Sequence, residues 1–309
     1  MENKISGLHH ITAIADNAKR NHGFYTRVLG LRLVKKTVNF DDPGTYHFYY
    51  GDEIGTPGTI LTFFPWEGIG KGINGAGMAT SIGYSVPRGS LAFWKNRLTQ
   101  NGVNVVTGER FGEELIGFSD PDGLPLVFVE SAAPDNRKGW LTDEIGADYA
   151  LKGFHNVTLT LHKAAPTMKV MTEVLGYKEI GQEGSHIRLA TDAADTANIL
   201  DIYEDAKAPR GRGAGGTNHH IAFRVANDEI LMHFREKVLS AGLDITPKID
   251  RDYFFSLYFR EPGGVLFEIA TDNPGFTRDE TIKELGTGLK LPKRYESVRS
   301  EIEKVLPKL

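Results

Sequence analysis

Two pairs of adjacent histidines and one glutamate are the residues of this chain best suited to chemistry. His9 and His10 lie in GLHHITAI at 7–14, His219 and His220 in NHHIAF at 218–223, and Glu268 in VLFEIA at 265–270. Imidazole nitrogens and a carboxylate oxygen together suit a divalent transition metal. Two histidines with one carboxylate form the facial triad of non-haem Fe(II) sites, which leaves the opposite face open to substrate and O₂. A strand sends neighbouring side chains to opposite faces. Only one histidine of each pair can then face a shared site.

The elements that would carry these residues repeat along the chain. GLHHITAI recurs as GFHNVTLT, 146 residues later, and VLGLRLV at 28–34 recurs as VLGYKEI at the same offset. Both stretches read as an apolar strand, an amphipathic helix and a glycine turn into a second strand. Gly30 and Gly176 fit the residue after a helix end, where a left-handed φ favours glycine. IGYSV at 82–86 resembles IAFRV at 221–225, and each leads into a helix that ends on Gly102 or Gly242. The turns SDPDG at 119–123 and REPGG at 260–264 follow, each entering an apolar strand. Acid-Pro-X-Gly between apolar runs is turn chemistry.

The expected organisation is therefore α+β, with four βαβββ modules at 5–65, 78–132, 151–205 and 215–272. Two modules fall within 1–132 and two within 151–285, with a polar linker at 133–150 between them. Residues 286–309 read as a C-terminal capping helix.

Comparing the four copies isolates the unusual residues. The position before each strand core holds His10, Ser81, Asn156 and His220. The fourth residue after the turn glycine is Val127 in the second module and Glu268 in the fourth. Glu130 lies an odd number of residues from Val127 and should face the other side of its strand. Only modules one and four supply ligands. They are expected to pair around a metal as one curved mixed sheet, with modules two and three paired in a second sheet without one. His22, His47, His162, His186 and His233 have no such support and read as structural or solvated. Tyr46, Phe48, Phe63, Phe255 and Phe267 lie on the relevant strands and read mostly as core.

The bulk properties exclude several classes. The chain has 309 residues, 40% hydrophobic and 25% charged, with a formal net charge of −4. That balance does not suggest a nucleic-acid or membrane-surface partner. No run approaches the roughly 20 apolar residues of a membrane span. MENKISGLHH lacks the apolar core of a signal peptide, so a cytoplasmic protein is expected. There are no cysteines, which excludes disulfides, thiolate ligands and cysteine nucleophiles.

The paired βαβββ plan, together with LHHITAI, NHHIAF and YFREPGGVLFEIA, resembles the vicinal oxygen chelate superfamily. GDEIGTPGTILTFFP at 51–65 and LPKRYESVRSEIEKVLP near the end are similar to its ring-cleaving dioxygenases that open hydroquinones. The resemblance implies His10, His220 and Glu268 as metal ligands. It implies His9, His219, Tyr258 and Arg251 as catalytic residues, and Thr12, Arg251 and Tyr258 as substrate-binding. It implies Fe(II), with Mn(II) as an alternative and Zn or Ni able to occupy the same donors. It also implies a small aromatic substrate with O₂, and a homo-oligomer, dimer or larger.

Plainer readings stand beside these. His9 could simply bond a backbone carbonyl, Arg251 pair with Asp250 or Asp252, and Tyr258 be an ordinary strand tyrosine. Two other functions share the fold. A glyoxalase-like lyase or isomerase would carry a further carboxylate ligand, expected near Phe63, Phe64 and Pro65, where none occurs. A metal-free binding or resistance protein would not need His10, His220 and Glu268 together.

Overall fold

The computed structural model describes residues 3–309. The first module holds strands β1 (Leu8–Ala15), β2 (Arg32–Val38), β3 (Tyr46–Gly51) and β4 (Ile60–Pro65), with helix α1 (Ala18–Gly23) after β1. The second holds β5 (Met78–Ser85), α2 (Leu91–Gln100), β6 (Val106–Arg110), β7 (Glu113–Ser119) and β8 (Pro125–Val129). The third holds β9 (Gly153–Leu161), α3 (Ala165–Lys169), β10 (Lys178–Glu183), β11 (His186–Ala190) and β12 (Ile199–Glu204). The fourth holds β13 (Thr217–Val225), α4 (Asp228–Ser240), β14 (Ile249–Asp250), β15 (Phe254–Arg260) and β16 (Leu266–Pro274). A six-residue 3₁₀ segment, Lys293–Val298, and helix α5 (Arg299–Val305) follow. Residues 133–150 form neither helix nor strand.

Local chemistry explains the helix boundaries. Asn17 and Asn227 cap α1 and α4, each side-chain oxygen accepting a backbone N–H three residues on, from Arg20 and Ile230. α1 and α3 each widen into one π-helical turn, Phe24–Val28 and Val170–Val174. Those turns end at Gly30 and Gly176, with φ of 68° and 78°, where a β-carbon would be strained. Glu130, at the far end of β8, accepts from the Leu91 N–H at the start of α2, so its carboxylate serves a helix terminus.

Among the described residues, sixteen strands form two mixed sheets of eight. One runs β14-β15-β16-β13-β1-β4-β3-β2 and joins the fourth module to the first. The other runs β10-β11-β12-β9-β5-β8-β7-β6 and joins the third to the second. Antiparallel pairing of β1 with β13, and of β5 with β9, seams each sheet at its centre. Alternation along the strands separates core from site. Phe267 and Ile269 flank Glu268 and are fully buried in the main apolar core with Phe223. The apolar face of α4, with Ile230, Leu231, Phe234 and Val238, belongs to the same core.

The C-terminal region closes over the edge of the first sheet. The fully buried Lys35 ammonium is held by Asp279 at 2.6 Å and by Glu280, and sits 4.7 Å from the Tyr253 ring. Arg294 and the Tyr295 hydroxyl both donate to the Phe40 carbonyl.

Candidate metal centre and aromatic-walled cavity

Each seam carries the same irregularity in both of its strands. Leu8 and His10 of β1 oppose Phe223 and Ala222, consecutive residues of β13, so His9 is an extra, bulged residue. Thr12 and Ala13 oppose His220 and Asn218, so His219 is bulged in the same way. A bulge re-aims one side chain locally. The strict alternation expected from sequence is therefore broken at both histidine pairs. Instead of pointing apart, the His9 and His10 rings meet edge to face with centroids 5.1 Å apart, as do His219 and His220.

The second histidine of each pair converges with Glu268. His10 Nε2 and His220 Nε2 are 3.3 Å apart, and Glu268 Oε2 lies 3.2 Å from the first and 2.9 Å from the second. All three residues are buried, at 1%, 6% and 0% exposure. Among the described residues this is the only group of three or more such side chains with ligand atoms close enough to share an ion.

The hydrogen bonds around the triad fix where its lone pairs point. The Thr271 carbonyl can only accept, so His9 Nε2, 3.0 Å away, carries the proton. Burial, with His10 second, pushes the His9 pKa well down, so the ring is neutral and its Nδ1 is an acceptor. His10 Nδ1, 2.9 Å away, must then donate. That leaves the His10 Nε2 lone pair facing His220 and Glu268. Burial also lowers the His220 pKa, and its Nδ1 lies 2.8 Å from His219 Nδ1. Glu268 Oε1 accepts from the Ser256 hydroxyl, while Oε2 is buried without a hydrogen bond among the described residues. An inward lone pair beside an orphaned carboxylate oxygen is a donor set that fits a cation. Its two imidazoles and one carboxylate suit a first-row transition metal.

The site opens into a cavity of about 250 Å³. An apolar cavity of about 150 Å³ admits benzene, so one substituted aromatic ring fits here. Tyr49, Phe64, Trp66, Phe254 and Phe40 supply aromatic walls. The aromatics read from sequence as mostly core do not line it. Phe48, Phe63 and Phe267 are fully buried in the core. The cavity takes their neighbours Tyr49 and Phe64 instead, one residue along and on the other strand face.

Thr12, Arg251, Tyr258 and His219 all line this cavity, together with His10 and His220. Sequence parity could not place Tyr258 because a turn separates it from Glu268. The register does so directly: the two are cross-strand partners on β15 and β16. The Tyr258 ring lies 5.6 Å from that of His220, and burial, with Glu268 second, raises its hydroxyl pKa. Arg251 Nε donates to the Tyr258 hydroxyl at 3.3 Å, and the guanidinium lies 5.3 Å from the ring. Arg251 pairs with Asp41 at 3.7 Å rather than with Asp250 or Asp252. Burial of the His219 ring, with His220 second, pushes its pKa down to about 3, while part of the residue is exposed and lines the cavity.

His47 is the residue that sequence reasoning missed. Read there as structural or solvated, it lines the cavity. A repeat comparison carried to the third strand of each module would have found it. Ala222 pairs with Glu268 in one half of the sheet and Thr12 with Thr62 in the other, both in parallel register. Thr62 is therefore the counterpart of Glu268, and the further-ligand position lies there rather than at Phe63, Phe64 or Pro65. Since Tyr49 pairs with Thr62 as Tyr258 pairs with Glu268, Tyr49 matches Tyr258 and His47 matches Ser256.

The second sheet fills the equivalent hollow with a salt-bridge cluster. Asn156 stands where His10 does and donates to Asp201. Arg188 holds Asp201 through two bonds of 2.8 and 2.9 Å and Glu113 through one of 2.6 Å, with its guanidinium 4.1 Å from the Phe111 ring. His155, bulged like His9, bonds Glu113 at 2.9 Å.

Comparison with known proteins agrees with this architecture. The sequence matches the family described as the Glyoxalase/Bleomycin resistance protein/Dioxygenase superfamily over residues 7–128 and 153–269. It is 46% identical to the provisionally named ring-cleaving dioxygenase MhqE of Bacillus subtilis, over 99% of this chain and 100% of that one. It is 35% identical to the chlorohydroquinone/hydroquinone 1,2-dioxygenase of Sphingobium indicum, over 97% of this chain and 95% of that one. A Bacillus subtilis crystal structure, provisionally titled a dioxygenase, superposes with a TM-score of 0.96 at 44% identity, covering 99% and 98% of the two chains. With its duplicated βαβββ sheets and a histidine–carboxylate cluster in one of them, the chain belongs to the Glyoxalase/Bleomycin resistance protein/Dioxygenase superfamily.

Proposed function

We propose that this protein is a metal-dependent ring-cleaving dioxygenase of the extradiol type, acting with O₂ on a hydroquinone or catechol. His10, His220 and Glu268 would hold the metal, for which Fe(II) is the choice and Mn(II) the alternative. The observation that carries the reading is the convergence of these three donors within 3.3 Å, at the wall of an aromatic cavity sized for one ring. The 35% identity to a hydroquinone 1,2-dioxygenase over nearly the whole chain supports the same substrate class.

A bound Fe(II) supplies a Lewis-acidic position for a phenolic oxygen and the redox capacity to engage O₂. The chain's own residues do the rest. Thr271 and His9 keep the His10 lone pair on Nε2. If His220 likewise turns its Nε2 lone pair to the metal, its Nδ1–H donates to His219, and His219 Nε2–H faces the cavity. A neutral imidazole N–H there can donate a hydrogen bond to a ring-derived oxygen and stabilise negative charge on it. Arg251 stabilises negative charge on the ring oxygens and orients the Tyr258 hydroxyl. A catechol would meet the metal through two oxygens and a hydroquinone through one. The second hydroxyl of a hydroquinone then needs a protein partner, which Tyr258, Arg251 or Thr12 provides. A lyase of the glyoxalase kind is less well served, because Thr62 occupies the position for a further ligand.

The test is O₂ uptake. Protein loaded anaerobically with Fe(II) is mixed with air-saturated buffer and methylhydroquinone or catechol, beside His220→Ala. Uptake with the hydroquinone that disappears in the variant supports the proposal. Uptake with catechol alone moves the substrate, and no uptake with either despite bound iron refutes it.

A further inference from the structure

Four side chains form a hydrogen-bonded line across β3, β4 and β1 that ends in the cavity. The Tyr49 hydroxyl is 2.9 Å from His47 Nδ1, His47 Nε2 is 2.9 Å from Thr62 Oγ1, and Thr62 Oγ1 is 2.9 Å from Thr12 Oγ1. Tyr49, Thr62 and Thr12 are buried, at 1%, 0% and 1% exposure. Among the described residues, the Tyr49 hydroxyl has no hydrogen-bond partner but His47, and Thr12 Oγ1 none but Thr62.

The chemistry of the groups gives the line a direction. A buried phenol keeps its proton and must place it, and the acceptor in reach is His47 Nδ1. Burial holds His47 neutral, so a ring that accepts at Nδ1 carries its one proton at Nε2. Thr62 accepts that proton and passes its own to Thr12. Thr12 has then accepted, and its own O–H is left over, facing the cavity two residues along the strand from His10.

We infer that His47 is a positioning residue that, anchored by Tyr49 and acting through Thr62, fixes Thr12 as a hydrogen-bond donor toward an oxygen of the bound phenolic substrate. The inference rests on the ring-cleaving reading for its substrate class and sharpens it: the site takes a ring oxygen that accepts, as a phenolate or ether oxygen does. Reversing the line would leave the Tyr49 proton without its acceptor and turn Thr12 into an acceptor. The pseudo-symmetry of the sheet agrees, since Ser256, the counterpart of His47, likewise donates to Glu268, the counterpart of Thr62.

The test reads the tautomer and the affinity separately. In ¹⁵N-histidine-labelled protein, with His47→Asn used for assignment, the His47 ring should show the Nε2–H form near pH 7. Tyr49→Phe should convert it to a mixture. Anaerobic calorimetry with hydroquinone reads affinity without turnover. His47→Leu should weaken binding about tenfold, the worth of one hydrogen bond to a partly charged oxygen. His47→Gln, which offers one acceptor and one donor on a planar group, should recover most of it. 4-Methoxyphenol, whose ether oxygen still accepts, should show the same ratio between the two variants. An Nδ1–H tautomer in the wild type overturns the inference, as does equal weakening in His47→Leu and His47→Gln. Absence of O₂ uptake with normal phenol binding and the expected tautomer would sink the dioxygenase reading and leave this inference standing.

Discussion

Glu113 is a carboxylate surrounded by donors: His155 at 2.9 Å, Arg188 at 2.6 Å and the Ala132 N–H at 3.0 Å. Its side chain is 7% exposed, so solvent screening removes little from these interactions. Burial alone would raise its pKa, but the bonds to His155 and then the other donors outweigh it and bring it from 4.5 down to about 2. A depressed carboxylate pKa contributes stability that is present above the unfolded value and is lost as pH falls toward the folded one. The shift corresponds to about 3 kcal/mol at pH 7, of which about 0.8 kcal/mol is gone by pH 4 and about 2 kcal/mol by pH 3. Glu113→Gln should therefore destabilise the metal-free protein by up to about 3 kcal/mol at pH 7. The gap to wild type should narrow as the pH is lowered. Urea unfolding of both proteins at pH 7, 5 and 4 measures it, and the difference between them cancels the titration of other carboxylates. A gap that stays constant from pH 7 to 4, or one below about 1 kcal/mol at pH 7, would refute the assignment of this cluster as a source of stability.

Other outcomes follow from the same geometry. Saturating Mn(II), at about 100 times its dissociation constant, should stabilise the wild type by about 2.7 kcal/mol. Calorimetric melting should register a rise of several degrees, at one ion per chain and absent in His220→Ala. His9→Leu removes the group that sets the His10 tautomer, and should weaken metal binding about 10- to 100-fold in a chelator competition. Lys35→Met would strand Asp279 and Glu280 without their cation, costing about 3 kcal/mol. Limited proteolysis should then cut the 279–309 region sooner than in the wild type.

The residues of the candidate metal triad were legible because the chain carries its own controls. Matching positions in modules two and three hold Asn156, Ser81 and Val127, so His10, His220 and Glu268 stood out, and the pairing of outer with outer and inner with inner modules followed. What was not legible depended on register. The bulges at His9 and His219 leave no mark in composition, and they overturned the simple alternation argument for each histidine pair. The same one-residue sensitivity separates Phe48 and Phe63, which are core as read, from Tyr49 and Phe64, which line the cavity, and it set the further-ligand position beyond Thr62. His47 escaped because the comparison of copies stopped short of the third strand of each module, where His47 occupies the register position that matches Ser256.

The nesting of the modules also has a consequence for how the protein is made. The inner sheet joins neighbours, Gly83 to Asn156 across its seam, and every residue of it lies before the fourth module in the chain. The candidate metal centre instead joins His10 to His220, 210 residues apart, and Glu268 comes later still. Closing the longer loop in a bare chain costs about 0.9 kcal/mol more than closing the shorter one. Once the inner sheet has folded, that cost is largely met, because β5 and β9 have already drawn the flanking segments together. On a ribosome, the first histidine of the triad waits through most of synthesis for its partners. The three candidate ligands meet only in a chain that is nearly complete, and a product that ends before the fourth module lacks two of them, His220 and Glu268.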